Sequence, residues 1–321
     1  MMKISVIGCG RWGSLIAWYL DSIGHKTCLY GRQDSPHMKR FLSERRNDLL
    51  SLPDSIDLET DLSKALRQDV LILAVGAQSL RALCEELRAH GVKDKTIVLC
   101  MKGLEKETGK RLSVVVSETL DTSNRVAVWL GPGHVQDFYA GIPSCMVIDS
   151  LDDDIKKELV DSFSSSLIRF YYGRDLIGNE IGAAAKNVIG IGAGMLDGLG
   201  LSTLKGPLMS RGTREVARLI KSEGGSELSA YGLCHLGDYQ ATIFSKYSHN
   251  RQFGESFIKK EPYPELAEGY DTVRAMVHLA EQNSVDLPIC RGIYEILFHG
   301  ADCKTVLNEL FARSLKDEFY G

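Results

Sequence analysis

Residues 3–13 read KISVIGCGRWG, so a GxGxxG (Gly8, Gly10, Gly13) stands between a β-branched apolar run and an amphipathic one. That junction constrains the fold more than any other feature of the 321 residues. Gly8 allows a tight turn, and Gly10 lets the backbone approach an anion. Gly13 lets a helix lie close on the strand it follows. The start of that helix faces the turn with unpaired N–H groups, a ready seat for a phosphate. The spacing alone is weak. A strand before it and a helix after it make it a dinucleotide-binding turn, with Arg11 and Trp12 inside the same loop.

The alternation continues. Apolar, β-branched runs predict strands at 3–8, 26–31, 69–76, 96–103, 125–131, 145–150 and 167–173. Helical periodicity at 11–24 and 79–91 falls between them, with Gly91 closing the second like a C-cap. Residues 43–61 have weak periodicity and read as a surface loop with a short strand. Strand–helix–strand repetition implies parallel strands joined by right-handed crossovers. After about residue 175 strand signals stop, and long amphipathic stretches such as 269–283 and 287–300 take over. The expectation is an α/β chain. A doubly wound Rossmann domain over 1–175 binds the dinucleotide, and an all-α domain over 176–321 binds the substrate.

Composition narrows the function. Net charge is −4 with no basic block, which argues against nucleic acid as a partner. The eight cysteines are scattered without a CxxC, so reduced thiols in a cytoplasm are expected rather than zinc or disulfides. No HExxH or other tight ligand cluster predicts a metal site. No apolar run reaches membrane-spanning length, and the first residues enter a strand without a signal-peptide pattern.

The second strand ends in CLYGRQ (28–33), where an NAD site usually carries an acid for the ribose hydroxyls. Arg32 stands there instead. A guanidinium suits a 2′-phosphate, and Arg11 adds a second positive charge nearby. NADP(H) is therefore the favoured cofactor, with NAD(H) possible; two solvated surface arginines are the plainer alternative.

Residues 182–194, GAAAKNVIGIGAG, hold one lysine among glycine, alanine and apolar side chains. On a helix, Gly182, Lys186, Gly190 and Gly194 form one stripe at i, i+4, i+8 and i+12. Each glycine costs about 1 kcal/mol of helix stability relative to alanine, so a bare stripe implies close approach by a backbone or a ligand. A dry Lys186 would have a lowered pKa and could trade protons. A lysine whose stem snorkels out to water fits this stretch equally well.

Further segments converge on the same edge. KTIVLCMKGLE (95–105) puts Lys102 at the carboxyl end of a core strand, where open parallel sheets bind ligands. WLGPGH (129–134) ends another strand there. SHNRQFG (248–254) offers Ser248, Asn250 and Arg251 with an N-cap before a helix. Asp238 and Thr242 are i, i+4 and could hold a lysine or a substrate hydroxyl.

Taken in order, GCGRWG, YGR, MKGLE, LGPGH, GAAAKNVIGIGAGMLDGLG, MSRGTREVARL, GDYQAT, SHNRQFG and AEGYDT resemble the bacterial NAD(P)-dependent glycerol-3-phosphate dehydrogenases over essentially the whole chain. The resemblance implies reversible reduction of dihydroxyacetone phosphate to sn-glycerol 3-phosphate, feeding phospholipid synthesis, in a cytoplasmic homodimer. It implies Lys186 as the catalytic acid–base group and Lys102 as its partner between nicotinamide and substrate. Gly131, Asn187, Asp238, Ser248, Asn250 and Arg251 would complete the substrate site. Gly8, Gly10, Arg11, Trp12, Gly13, Arg32, Val135 and Glu268 would hold the cofactor. His249 would touch both. The family commonly has serine or asparagine at Arg11, serine at Gly133, lysine at Gln136 and arginine at His249. A protonated His249 is expected to stand in for that phosphate-binding arginine. These departures keep two other readings open: a related dehydrogenase of another small oxo-compound, and an NADP-binding regulator with little turnover.

Overall fold

The computed structural model describes residues 1–315 and 317–318; residues 316 and 319–321, the last of the expected second domain, lie outside the described residues. Eight strands form one sheet: β1 (Lys3–Ile7), β2 (Lys26–Tyr30), β3 (Asp57–Glu59), β4 (Val70–Leu73), β5 (Thr96–Leu99), β6 (Arg125–Leu130), β7 (Ser144–Ser150) and β8 (Ile168–Tyr172). Their order across the sheet is β3-β2-β1-β4-β5-β6-β7-β8. Order reverses beside β1, whose neighbours are β2 and β4, and the crevice at such a reversal is where doubly wound sheets bind ligands. The helices among the strands are α1 (Arg11–Ser22), α2 (Pro36–Glu44), α3 (Leu62–Ala65), α4 (Leu80–Ala89), α5 (Leu112–Thr119), α6 (Val135–Tyr139) and α7 (Asp153–Phe163).

Helices cover both sheet faces, so β4 and β5 are buried along their whole length and read as unbroken apolar runs. Side chains alternate between two cores. Val6, Ile72, Val98 and Trp129 point to one side. Ile7, Leu71, Leu73, Ile97 and Leu99 point to the other.

Parallel pairing was expected throughout, and it holds from β3 to β6. β7 runs antiparallel to β6, with Trp129 opposite Ile148, and β8 follows β7 in parallel. The two connections differ in the helix they carry, since a parallel return usually runs through a helix packed on the sheet. Between Leu130 and Ser144 the chain has only the short α6. Between β7 and β8 it has α7, long enough to recross the sheet. The stretch expected as a loop does carry a short strand, β3. The helix before it, α2, is capped by Ser35 with Pro36 at its first turn, and buries only Met38 and Phe41.

Past residue 175 the structure is helical: α8 (Leu176–Gly198), α9 (Lys205–Ser222), α10 (His249–Lys259), α11 (Gly269–Gln282), α12 (Pro288–His299) and α13 (Cys303–Phe311). α8 is the axis of this half. Every residue from Ile181 to Leu196 is buried. α9, α11 and α12 pack Val216, Leu219, Val273, Met276 and Ile296 around it in a third core.

Candidate functional site

The site assembles where the carboxyl ends of β5 and β6 meet α8. Lys102 lies three residues past β5, in the loop that continues it. Its Nζ donates to the carbonyl of Gly131 at 2.6 Å, just beyond β6, and to Asp238 Oδ2 at 2.7 Å. Lys186, near the middle of α8, reaches the same Oδ2 at 2.6 Å and donates to Thr242 Oγ1 at 2.9 Å. Asp238 closes a 3-10 turn (Leu236–Asp238), and Thr242 sits in the single π-turn that follows (Gln240–Phe244). That widened turn brings Asp238 and Thr242 together onto Lys186.

Two ammonium groups thus share one fully buried carboxylate. The other oxygen, Asp238 Oδ1, is out of solvent and has no partner among the described residues. Burial pushes the Lys186 pKa down, Asp238 pulls it back up and Lys102 pushes it down again, leaving it at about 8. At pH 7 to 8 such a lysine exchanges its proton far more readily than an ordinary one.

The floor is stitched from both halves of the chain. Asn187 Nδ2 donates to the Lys102 carbonyl at 2.9 Å. Asn250 Oδ1 accepts from Gly269 N–H at 2.9 Å, and Asn250 Cβ would lie 3.3 Å from a Cβ at Gly190, one turn beyond Lys186. Ser248 is the N-cap of α10 and accepts from Arg251 N–H. Glu268 Oε1 accepts from Ala77 N–H at 3.2 Å, just past β4, and desolvation raises its pKa to about 7. Val135 is buried at the first turn of α6.

Sequence reasoning does not single out His134, which ends the WLGPGH segment. Its Nε2 is out of solvent with no partner among the described residues, and its ring meets Tyr247 edge-on at 5.7 Å between centroids. Burial lowers its pKa first; Asp137 raises it, Lys186 lowers it, Asp238 raises it and Lys102 lowers it. It therefore lies within electrostatic range of the lysine cluster.

Several expectations change. The glycine stripe is not open to a ligand. A Cβ at Gly194 would overlap the Arg251 carbonyl oxygen, and one at Gly254 would overlap that of Ile191. A Cβ at Gly182 would come to 3.1 Å from His235 Cβ. The stripe lets α10 and the 235–242 segment lie against α8, and that packing delivers Asp238 and Thr242 to Lys186.

Arg251 does not reach the cleft. Its Nη1 lies 2.6 Å from Asp197 and 3.0 Å from Glu255, and its Nε donates to the Ser245 carbonyl. Asp197 is roughly 16 Å along α8 from Lys186, at 1.5 Å per residue. Arg11 turns away from the expected charge pair with Arg32; its Nη1 donates to His249 Nε2 across the cleft. Burial and Arg11 lower the His249 pKa, and Glu265 raises it. With Nε2 accepting from Arg11, the imidazole cannot carry a proton on both nitrogens, so the expected protonated His249 does not fit this contact. Arg32 lies exposed past β2, 3.8 Å from Asp34. At Gly133 a Cβ would run into the Phe138 ring, so the serine expected from the resemblance has no room.

The glycine turn fits a dinucleotide. Gly8 has φ +116° and a Cβ there would overlap the Ala74 carbonyl oxygen, so only glycine makes the turn. A Cβ at Gly13 would overlap the Gly8 carbonyl oxygen, which sets α1 hard against β1. At Gly10 nothing lies within 4 Å of a built Cβ. The α1 N-terminus has no side-chain cap, leaving its N–H groups for phosphate. Among the described residues no three His, Cys, Asp or Glu gather as around a metal ion, and no helix is long and apolar enough to cross a membrane.

Comparison with known proteins agrees. The N-terminal model of NAD-dependent glycerol-3-phosphate dehydrogenase matches residues 3–156, and the C-terminal model of the same family matches 175–308. A glycerol-3-phosphate dehydrogenase [NAD(P)+] of Thermoanaerobacter sp. (strain X514) is 34% identical, covering 100% of both chains. One of Clostridium botulinum (strain Alaska E43 / Type E3) is also 34% identical over the full length of both. The crystal structure of glycerol-3-phosphate dehydrogenase from Coxiella burnetii superposes with a TM-score of 0.90 at 25% identity, covering 97% of this chain and 99% of that one. The chain belongs to the NAD-dependent glycerol-3-phosphate dehydrogenase family.

Proposed function

We propose that this oxidoreductase interconverts dihydroxyacetone phosphate and sn-glycerol 3-phosphate in the cytoplasm, as a homodimer supplying phospholipid synthesis. One observation carries the reading: Lys186 sits dry on α8 with its pKa near 8, held by Asp238 and Thr242 beside Lys102. A bound nicotinamide cofactor supplies the hydride. Gly8, Gly10, Trp12 and Gly13 hold its pyrophosphate end, Arg32 favours the 2′-phosphate of NADP(H) over NAD(H), and Val135 and Glu268 border the ring end.

In reduction the substrate carbonyl oxygen gains negative charge. The Lys186 ammonium donates a proton to it, and in oxidation the neutral amine takes that proton from the alcohol. Lys102, anchored by the Gly131 carbonyl and Asp238, keeps a fixed positive charge beside the same oxygen. Asp238 Oδ1 is free to accept from the substrate hydroxyl. Asn187, Ser248 and Asn250 supply the remaining polar contacts. The residues from 176 onward form the substrate-binding half in this account. The test is NADPH oxidation by the purified protein with dihydroxyacetone phosphate, beside a panel of related oxo-acids. Turnover of the oxo-acids alone would reject the reading.

A further inference from the structure

Arg11 opens α1 on the sheet side of the cleft, and His249 opens α10 on the helical side. Their side chains meet, Nη1 to Nε2. Because Arg11 donates to Nε2, the imidazole proton lies on Nδ1 and is given to the Tyr263 hydroxyl oxygen at 2.7 Å. The Tyr263 hydroxyl reaches Gln252 Oε1 at 3.4 Å. His249 is thus a fixed, neutral acceptor. It engages one of the five N–H groups of the guanidinium. Among the described residues no carboxylate lies within ion-pair distance of Arg11, and no other acceptor is bonded to its guanidinium.

The charge is also misplaced for a resting helix. A cation at a helix N-terminus opposes the dipole, and here it stands between two of them, with no acidic residue in the first turn of α1 or α10. An anion resolves this arrangement and a protein carboxylate does not supply it. The two contacting positions are also two of the departures from the family pattern. Arginine has left position 249 and stands at position 11, on the opposite wall.

We propose that Arg11, positioned by His249, is the phosphoryl-binding cation of this cleft, delivered from the glycine loop rather than from α10. The inference deepens the proposed reaction and rests on it for the substrate. The phosphoryl oxygens are those of the phosphorylated substrate, which distinguishes this role from the cofactor contact that the glycine loop makes in any case.

Wild type, Arg11→Ser and Arg11→Ser/His249→Arg are compared by three readouts: KM for dihydroxyacetone phosphate, and Kd for NADPH and for inorganic phosphate by calorimetry. Arg11→Ser should weaken KM and phosphate binding about tenfold or more, the scale of a lost charge-assisted contact. The double variant, with the guanidinium on the other wall, should recover both to within about threefold of wild type. No change in Arg11→Ser, a change confined to NADPH, or no recovery in the double variant overturns the proposal. If wild type does not turn over dihydroxyacetone phosphate while phosphate binding still follows Arg11, the anion site stands and the reaction is wrong.

Discussion

Lys186 Nζ and Asp238 Oδ2 lie 2.6 Å apart in a pocket where both residues are more than nine-tenths buried. The pair joins the long central helix to a 3-10 turn more than fifty residues later. It sets both the geometry and the protonation of the lysine.

The proton balance gives the first prediction. The ammonium donates in reduction, so kcat/KM for dihydroxyacetone phosphate should fall as pH rises through about 8, tenfold per unit, while glycerol 3-phosphate oxidation rises over the same range. Asp238 raises the Lys186 pKa and Lys102 lowers it. Asp238→Asn should therefore move the break to lower pH, and Lys102→Gln should move it higher. Shifts of the same sign in both variants would refute the coupling.

The glycine stripe makes the second. Gly194→Ala places a methyl group into the Arg251 carbonyl and forces α8 and α10 apart. Overpacking of this kind costs about 1–3 kcal/mol. A urea midpoint that drops accordingly, with turnover falling as Asp238 and Thr242 move off Lys186, is expected. An unchanged midpoint would show that the helices do not need the bare backbone.

Cofactor choice makes the third. Arg32 is exposed past β2, with Gly31 before it and no acid in its place. Wild type should prefer NADPH, and Arg32→Asp should shift the ratio of kcat/KM values toward NADH by about tenfold or more. A wild-type preference for NADH would remove Arg32 from the cofactor site.

Much of the cleft was legible in the sequence because its parts are local. A strand, a GxGxxG and a helix announce the turn; a lysine past a strand end announces Lys102. Asp238 and Thr242 pair as i, i+4 from their spacing alone. What stayed hidden was long-range. Glycine at 190 and 194 looks the same whether a ligand or another helix comes close, and only the position of Gly254 shows that it is α10. Arg251 reads as an anion-binding residue until Asp197 and Glu255 are seen around it. The antiparallel β7 is a matter of strand direction, which strand propensity does not register. The Arg11–His249 contact spans 238 positions, and no periodicity carries information that far.

The central claim is that Lys186 moves the proton. Its most direct test is single-turnover reduction of dihydroxyacetone phosphate by Lys186→Met, with NADPH binding measured on the same preparation. The account predicts a folded protein that binds NADPH as wild type does but turns over at least about a hundredfold more slowly at pH 7. Turnover within a few-fold of wild type, with NADPH still bound, would contradict it.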